Sequence, residues 1–217
     1  MDYDVLGVRV HIVRQKVTVG GLTAGGLALV AGFVDAYGYM RWHLFGANMT
    51  GNTVIFGISL YGDPRSALFP LVLIGAFVFG SALGRLFAAR TSPAIGLTSE
   101  AVLLIFAALG DGHLTLCVIS LAMGIQNQSI ATFSGVHANT SFVTGDYTKI
   151  GRAAVDIVTG QNRNDARLQL SVLTPIVGAY ALGALFAASC KGVPHEVLLM
   201  VPIVFGIAYA THRGMLS

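Results

Sequence analysis

The chain has 217 residues, 54% of them hydrophobic and only 11% charged, with a mean hydropathy of +0.73. A soluble domain carries about 25% charged residues, so the composition excludes an ordinary soluble fold and implies an integral membrane protein in a lipid bilayer. The formal net charge of +3 comes with no basic stripe and no interleaved aromatics, which excludes a nucleic-acid partner.

Residues 1–18, with Arg9, Arg14 and Lys16, read as a cytoplasmic N-terminal segment. They do not open a signal peptide, because the apolar stretch that follows is too long and glycine-rich and runs on into Asp35. A spanning helix needs about 20 mainly apolar residues. Six are expected, over 19–40, 66–88, 95–109, 114–133, 168–188 and 196–211. Asp111-Gly112-His113 makes a tight turn between the third and the fourth. Two connections, 41–65 and 134–167, are long yet mostly apolar. Each holds a Thr-Gly motif followed by a short helical pattern, over about 50–60 and about 145–158. Some ten residues of helix cover about 15 Å, half of a hydrocarbon core, so these are half-helices that enter the membrane or interfacial helices that lie on it.

The same phrase is written twice. Residues 32–57 read GFVDAYGYMRWHLFGANMTGNTVIFG, and residues 124–151 read GIQNQSIATFSGVHANTSFVTGDYTKIG. Both contain an Asp or Asn three residues after the opening Gly, an Ala-Asn pair, and a Thr-Gly-Asn/Asp triplet. A second echo sets ALGRLFAA at 82–89 against ALGALFAA at 181–188. The chain therefore divides into repeat 1 over 19–110 and repeat 2 over 111–212, with 213–217 as a cytoplasmic C-terminus.

Basic residues orient the spans. An inside N-terminus puts Arg9, Arg14, Lys16, Arg85, Arg90, Lys149, Arg152, Arg163, Arg167 and Arg213 inside, and only Arg41, Arg65 and Lys191 outside. The expected arrangement is N-in and C-in. Three spans per repeat start the second copy from the opposite face, which is the inverted-topology design of many transporters. The fold class is thus an all-α polytopic membrane protein, six transmembrane helices as two inverted three-helix repeats.

The candidate chemistry sits in the repeated phrase. Asn48, Thr50, Gly51 and Asn52 in the first copy, and Asn139, Thr144, Gly145 and Asp146 in the second, are residues that cap helix N-termini. Irregular backbone at membrane depth survives only when buried in protein or facing a wet cavity. Two such breaks suggest a polar spot where the repeats meet, and these residues are the candidate contacts for a small polar or anionic solute; a purely structural capping role is the plain alternative. Asp35 is an ionisable residue inside a span, a functional candidate by default, here for proton coupling, for solute contact or for simple hydrogen bonding. Its counterpart Asn127 is expected to face it across the pseudo-axis. Arg41 and Trp42 read as interface anchors. Lys149, Arg152 and Asp156 share one face of the second short helix. Gly21/Gly25 and Gly80/Gly84 have the spacing that lets helices approach in lipid. Cys117 and Cys190 are the only cysteines, and they fit either two small buried hydrophobes or a disulfide. No phosphate loop, zinc-protease motif, nucleophile elbow or metal spacing occurs, so no catalytic residue, metal or cofactor is expected.

The run from Val34 to Gly57, with Asp35-Ala36, the Asn-Met-Thr-Gly-Asn block at 48–52 and the second Thr144-Gly145 block, resembles the YoaK family of small bacterial inner-membrane proteins. The resemblance covers about 19–211. It implies a bacterial cytoplasmic membrane and about six helices, and it implies no substrate. The residues themselves point to a small-solute transporter, a secondary and proton-coupled one where Asp35 titrates, and to a homodimer because each body is small. A channel, a non-transporting membrane scaffold or subunit, and an intramembrane enzyme remain open alternatives.

Overall fold

A computed structural model of the chain describes residues 3–130, 132–133 and 135–213, with side chains from residue 20 onward. The expected inside charges Arg9, Arg14 and Lys16 therefore lie outside the described side chains, as do Met1 and Asp2 and most of the C-terminal segment, 214–217. Among the described residues are eight α-helices: α1 Tyr3–Trp42, α2 Met49–Gly62, α3 Leu68–Arg90, α4 Pro93–Leu109, α5 Gly112–Ser129, α6 Thr144–Thr159, α7 Arg163–Ser189 and α8 Val201–His212. A 3-10 turn, Glu196–Met200, leads into α8. Between α5 and α6 stands a small antiparallel hairpin, Thr132–Phe133 against Val136–His137, turned by Gly135 at φ 83°.

Among the described residues, three segments are long and apolar enough to cross a membrane: Gly20–Trp42, Leu68–Arg90 and Arg163–Ser189. Pro93–Leu109 and Glu196–His212 are shorter apolar helices. Several boundaries differ from expectation: α7 begins at Arg163 rather than 168, and 196–200 is a 3-10 turn, so α8 begins only at Val201. α1 begins at Tyr3 rather than near residue 19, because a helix can continue past the apolar part of its sequence. α5 ends at Ser129 rather than at 133, where Ile130 turns extended into the hairpin.

The helices pack as two parallel pairs. α1 lies along α7: Gly25 meets Ala179, and Gly183 sits directly on the Leu29 carbonyl. α3 lies along α5: Gly80 sits on the Leu121 carbonyl and Gly84 on that of Ile125. Absent side chains bring backbone to backbone, the packing that holds helices together where lipid supplies no hydrophobic drive. So Gly80 and Gly84 serve packing within one chain. Gly21, by contrast, has open space where its Cβ would be. α4 closes against α5 and α8, and α6 and α2 lean on α7 and α3 respectively. The interior is apolar, with Leu27, Phe33, Leu104, Ile119, Met123, Leu173 and Ile176 fully enclosed.

Candidate functional site

After α1, the chain does not go straight into α2. Residues 43–48 fold back along the helix they have just left. Asp35 Oδ1 accepts hydrogen bonds from the backbone N–H of Ala47 at 2.6 Å and of Asn48 at 3.0 Å. Asp35 stands seven residues before the end of α1, so the returning segment reaches about 10 Å below that end. Gly38 and Gly46 make the tight passage, with Gly38 against the Leu44 carbonyl and Gly46 against Ile119. α2 then starts at that depth. Asn48 caps it by accepting from Gly51 N at 3.1 Å.

Asn52, fully buried, fixes the turn by pairing with Phe45 in both directions. Its Oδ1 accepts from Phe45 N at 2.9 Å, and its Nδ2 donates to Phe45 O at 2.8 Å. Gly51 is needed because a Cβ there would strike the Phe45 ring at 2.6 Å. The remaining oxygen of Asp35, Oδ2, accepts from the Tyr180 hydroxyl of α7. One carboxyl group thus ties the first break to a helix of the second repeat. Every polar side chain buried at this break has its partner.

The second break is built alike but finished differently. Gln126, fully buried in α5, donates from Nε2 to the Leu27 carbonyl at 3.2 Å and to Thr140 Oγ1 at 3.1 Å. Thr140 is thereby held beside α5, one turn below its end, as Ala47 is held beside α1. Asp146, fully buried at the start of α6, receives Lys149 Nζ at 3.3 Å and is approached by the backbone amide of Asn139. Lys149 also donates to the His137 carbonyl at 2.8 Å. Several polar atoms here have no partner among the described residues: the acceptors Gln126 Oε1 and Asp146 Oδ2, and the Ser141 hydroxyl.

The expected contact residues fall into two groups. Asn48, Gly51, Asn52, Gly145 and Asp146 line the turns where the breaks re-enter helix, with Asn139 just before the second. Thr50 and Thr144 are exposed. Asn127 takes no part in binding Asp35; it is half-exposed, and its neighbour Gln126 is the residue turned inward. The two breaks meet α1 at different heights. Leu27 and Asp35, which anchor them on α1, are eight residues apart, or about 12 Å along the helix. Between those anchors along α1 stand Ala28, Ala31 and Val34, and along α5 before Gln126 stand Ala122 and Met123, all fully buried.

The two short helices also differ. α2 has no charged residue and exposes Val54, Ile58 and Tyr61, a surface suited to lipid. α6 carries Asp146, Lys149, Arg152 and Asp156, the pattern of a helix at the membrane boundary. Cys117 and Cys190 are both free thiols.

Sequence reasoning missed three groups. Glu100 lies in the middle of α4, fully buried, and neither carboxylate oxygen has a partner among the described residues. Its signal was available, a lone acid in an apolar helix. Tyr180 and Glu196 gave no signal, because each acts on a residue 145 or more positions away.

The family described as "Protein of unknown function (DUF1275)" matches residues 23–211. The UPF0700 transmembrane protein RA0705 of Rhizobium meliloti (strain 1021) is 30% identical over 194 residues, covering 88% of this chain and 84% of its own. The UPF0700 transmembrane protein YoaK of Bacillus subtilis (strain 168) is 26% identical over 201 residues, covering 83% of this chain and 89% of its own. No solved structure matches.

Proposed function

This chain belongs to the DUF1275 family of multi-pass transmembrane proteins, and from that premise we propose that it is a small-solute transporter of the bacterial cytoplasmic membrane. Its two halves are inverted three-span repeats with N and C termini inside. The solute site lies at the second break and is formed by Gln126, Thr140, Ser141 and Asp146. Asp35 is the coupling residue.

One observation carries this reading: each half interrupts its helices with a segment that turns back into the protein beside that half's own first helix. Such backbone is tolerated at membrane depth where it is buried or lines a watery path, and discontinuous segments of this kind form the sites of inverted-repeat transporters. The packing supports the pseudo-symmetry. α1 against α7 and α5 against α3 are the same contact made by exchanged halves. Gln126 Oε1 and Asp146 Oδ2 at the second break only accept, which suits a solute that donates hydrogen bonds and favours a neutral or cationic solute over an anionic one.

Asp35 grips the Ala47 and Asn48 amides and the Tyr180 hydroxyl. A proton on its carboxyl would loosen that grip, and so loosen the first break from α7. The buried apolar residues between the anchors make this a closed state, and transport requires the halves to rock apart. That same packing favours the second reading, a membrane scaffold that moves nothing. The small body remains the reason to expect a homodimer.

A thermal-shift screen of small polar metabolites and ions on purified protein, followed by uptake into proteoliposomes, tests the proposal. A transporter gives a hit that Gln126→Leu and Ser141→Ala abolish. Its pH-gradient-driven uptake is lost in Asp35→Asn, while solute exchange without a gradient continues. Uptake that ignores the gradient in the wild type indicates a channel. No flux of any hit, with a soluble protein co-purifying, indicates the scaffold.

A further inference from the structure

The ends of α1 and α4 and the segment after α7 enclose a cleft of about 280 Å³ that the proposed transport path does not use. This is room for roughly nine waters at about 30 Å³ each. One of its walls is Glu196, only 2% exposed. Oε1 of Glu196 receives Arg41 Nη2 at 2.8 Å and Nε at 3.3 Å. Oε2 has no partner among the described residues. Arg41 cannot turn freely to serve it, since its guanidinium lies 4.6 Å over the Tyr37 ring. Half of a buried carboxylate is left unfilled, and such a group costs free energy until a donor reaches it.

The other polar groups of the cleft favour the same kind of visitor. His195 Nδ1 lies 2.5 Å from the Ala108 carbonyl. A carbonyl only accepts, so Nδ1 carries the proton. His195 holds this place at φ 54°, a left-handed backbone that a residue with a side chain rarely adopts. Asp111 adds a carboxylate at the rim. Two acids against one arginine leave the cleft negative. A metal ion is the wrong occupant: among the described residues no three His, Cys, Asp or Glu side chains stand together to hold one. Val193 and Val197 line the cleft as apolar wall.

We propose that this cleft binds a small organic amine in its ammonium form. The ammonium donates to Asp111 and, once the Glu196 side chain turns to uncover its enclosed Oε2, to that carboxylate, and the carbon chain lies against Val193 and Val197. The site needs no transport cycle, so its failure and the failure of the transporter reading are separate results.

The chain's single tryptophan, Trp42, meets the Tyr37 ring edge-on at 5.7 Å and reports on the cleft. Purified protein in detergent is titrated with butylammonium chloride, with sodium butyrate, butanol and sodium chloride as controls at matched ionic strength. Tryptophan fluorescence and the unfolding temperature are read. The proposal expects a saturable response to butylammonium alone. Glu196→Gln, similar in shape, weakens it at least about tenfold, or about 1.4 kcal/mol. Asp111→Asn, at an exposed position that leaves folding intact, weakens it about threefold, the scale of an exposed charge. An equal response to butyrate, butanol or sodium chloride overturns the assignment, and so does unchanged affinity in Glu196→Gln. Should that variant fail to fold, unchanged affinity in Asp111→Asn overturns it instead.

Discussion

Gly84 and Gly183 hold the same place in the two echoes ALGRLFAA and ALGALFAA, and a methyl group added at either should split a helix pair. At Gly84 a Cβ would sit 2.5 Å from the Ile125 carbonyl oxygen and 2.9 Å from the Ile125 Cα. Ordinary contact begins at 3.4 Å, so α3 and α5 must part by about 0.9 Å at this point. The obstacle is backbone, which no rotamer change relieves. Overpacking costs typically 1–3 kcal/mol, and a rigid obstacle puts Gly84→Ala toward the top, about 2–3 kcal/mol. Gly183 stands closer still to the Leu29 carbonyl, so Gly183→Ala should cost at least as much. Gly75 is the internal control: it lies in the same helix as Gly84 with nothing within 4 Å of its Cβ position. Gly75→Ala should be neutral or stabilising by up to about 1 kcal/mol. Unfolding of purified protein in SDS or by heat, followed by helical circular dichroism, measures all three. The packing argument is refuted if Gly84→Ala is as stable as Gly75→Ala. A harmless Gly183→Ala beside a damaging Gly84→Ala would refute the equivalence of the two halves.

Asn52→Ala removes both bonds to Phe45 and should cost about 1–3 kcal/mol, read in the same unfolding assay, whereas Thr50→Ala, at an exposed position, should stay within about 0.5 kcal/mol. Glu100→Met replaces a buried carboxyl group that has no partner with an apolar side chain. It should raise stability by about 1–3 kcal/mol, read in the same unfolding assay; a stability loss would mean that Glu100 has a partner in the membrane.

Much of this arrangement is legible in the sequence because local chemistry decides it. The three long apolar helices follow from the length of apolar runs, and α2 begins where Asn48 can cap it. The equivalence of Gly84 and Gly183 follows from the echo alone. What stays hidden is decided by distant neighbours. Counting from the opening glycine pairs Asp35 with Asn127, but burial depends on which face of α5 meets α1, and that face presents Gln126 to Leu27. The ties between Asp35 and Tyr180 and between Arg41 and Glu196 join residues far apart in the chain, and no spacing rule reaches that far. The start of α1 is hidden for another reason. Residues 3–18 mix Asp4, Arg9, Arg14 and Lys16 with apolar side chains, so hydropathy falls although the backbone remains helical.

The two copies of the phrase have divided their work, and the third residue of the triplet shows how. Asn52 turns back on Phe45, seven residues earlier; Asp146 is approached by the amide of Asn139, also seven earlier. An amide can both donate and accept, so Asn52 closes its turn unaided. A carboxylate only accepts, so Asp146 recruits Lys149 and still leaves Oδ2 empty. The first copy is therefore a finished latch, and the second has acceptor capacity to spare. Asp146→Asn gives the second copy the residue of the first. Lys149 keeps its bond to the His137 carbonyl, and the lost ion pair has a half-exposed partner, so stability should change by no more than about 1 kcal/mol. If the spare acceptors serve a solute, the thermal shift produced by that solute should fall at least about tenfold in dose, or about 1.4 kcal/mol. A variant that unfolds, or one that binds the solute as the wild type does, would show that the carboxylate at 146 is part of the latch and nothing more.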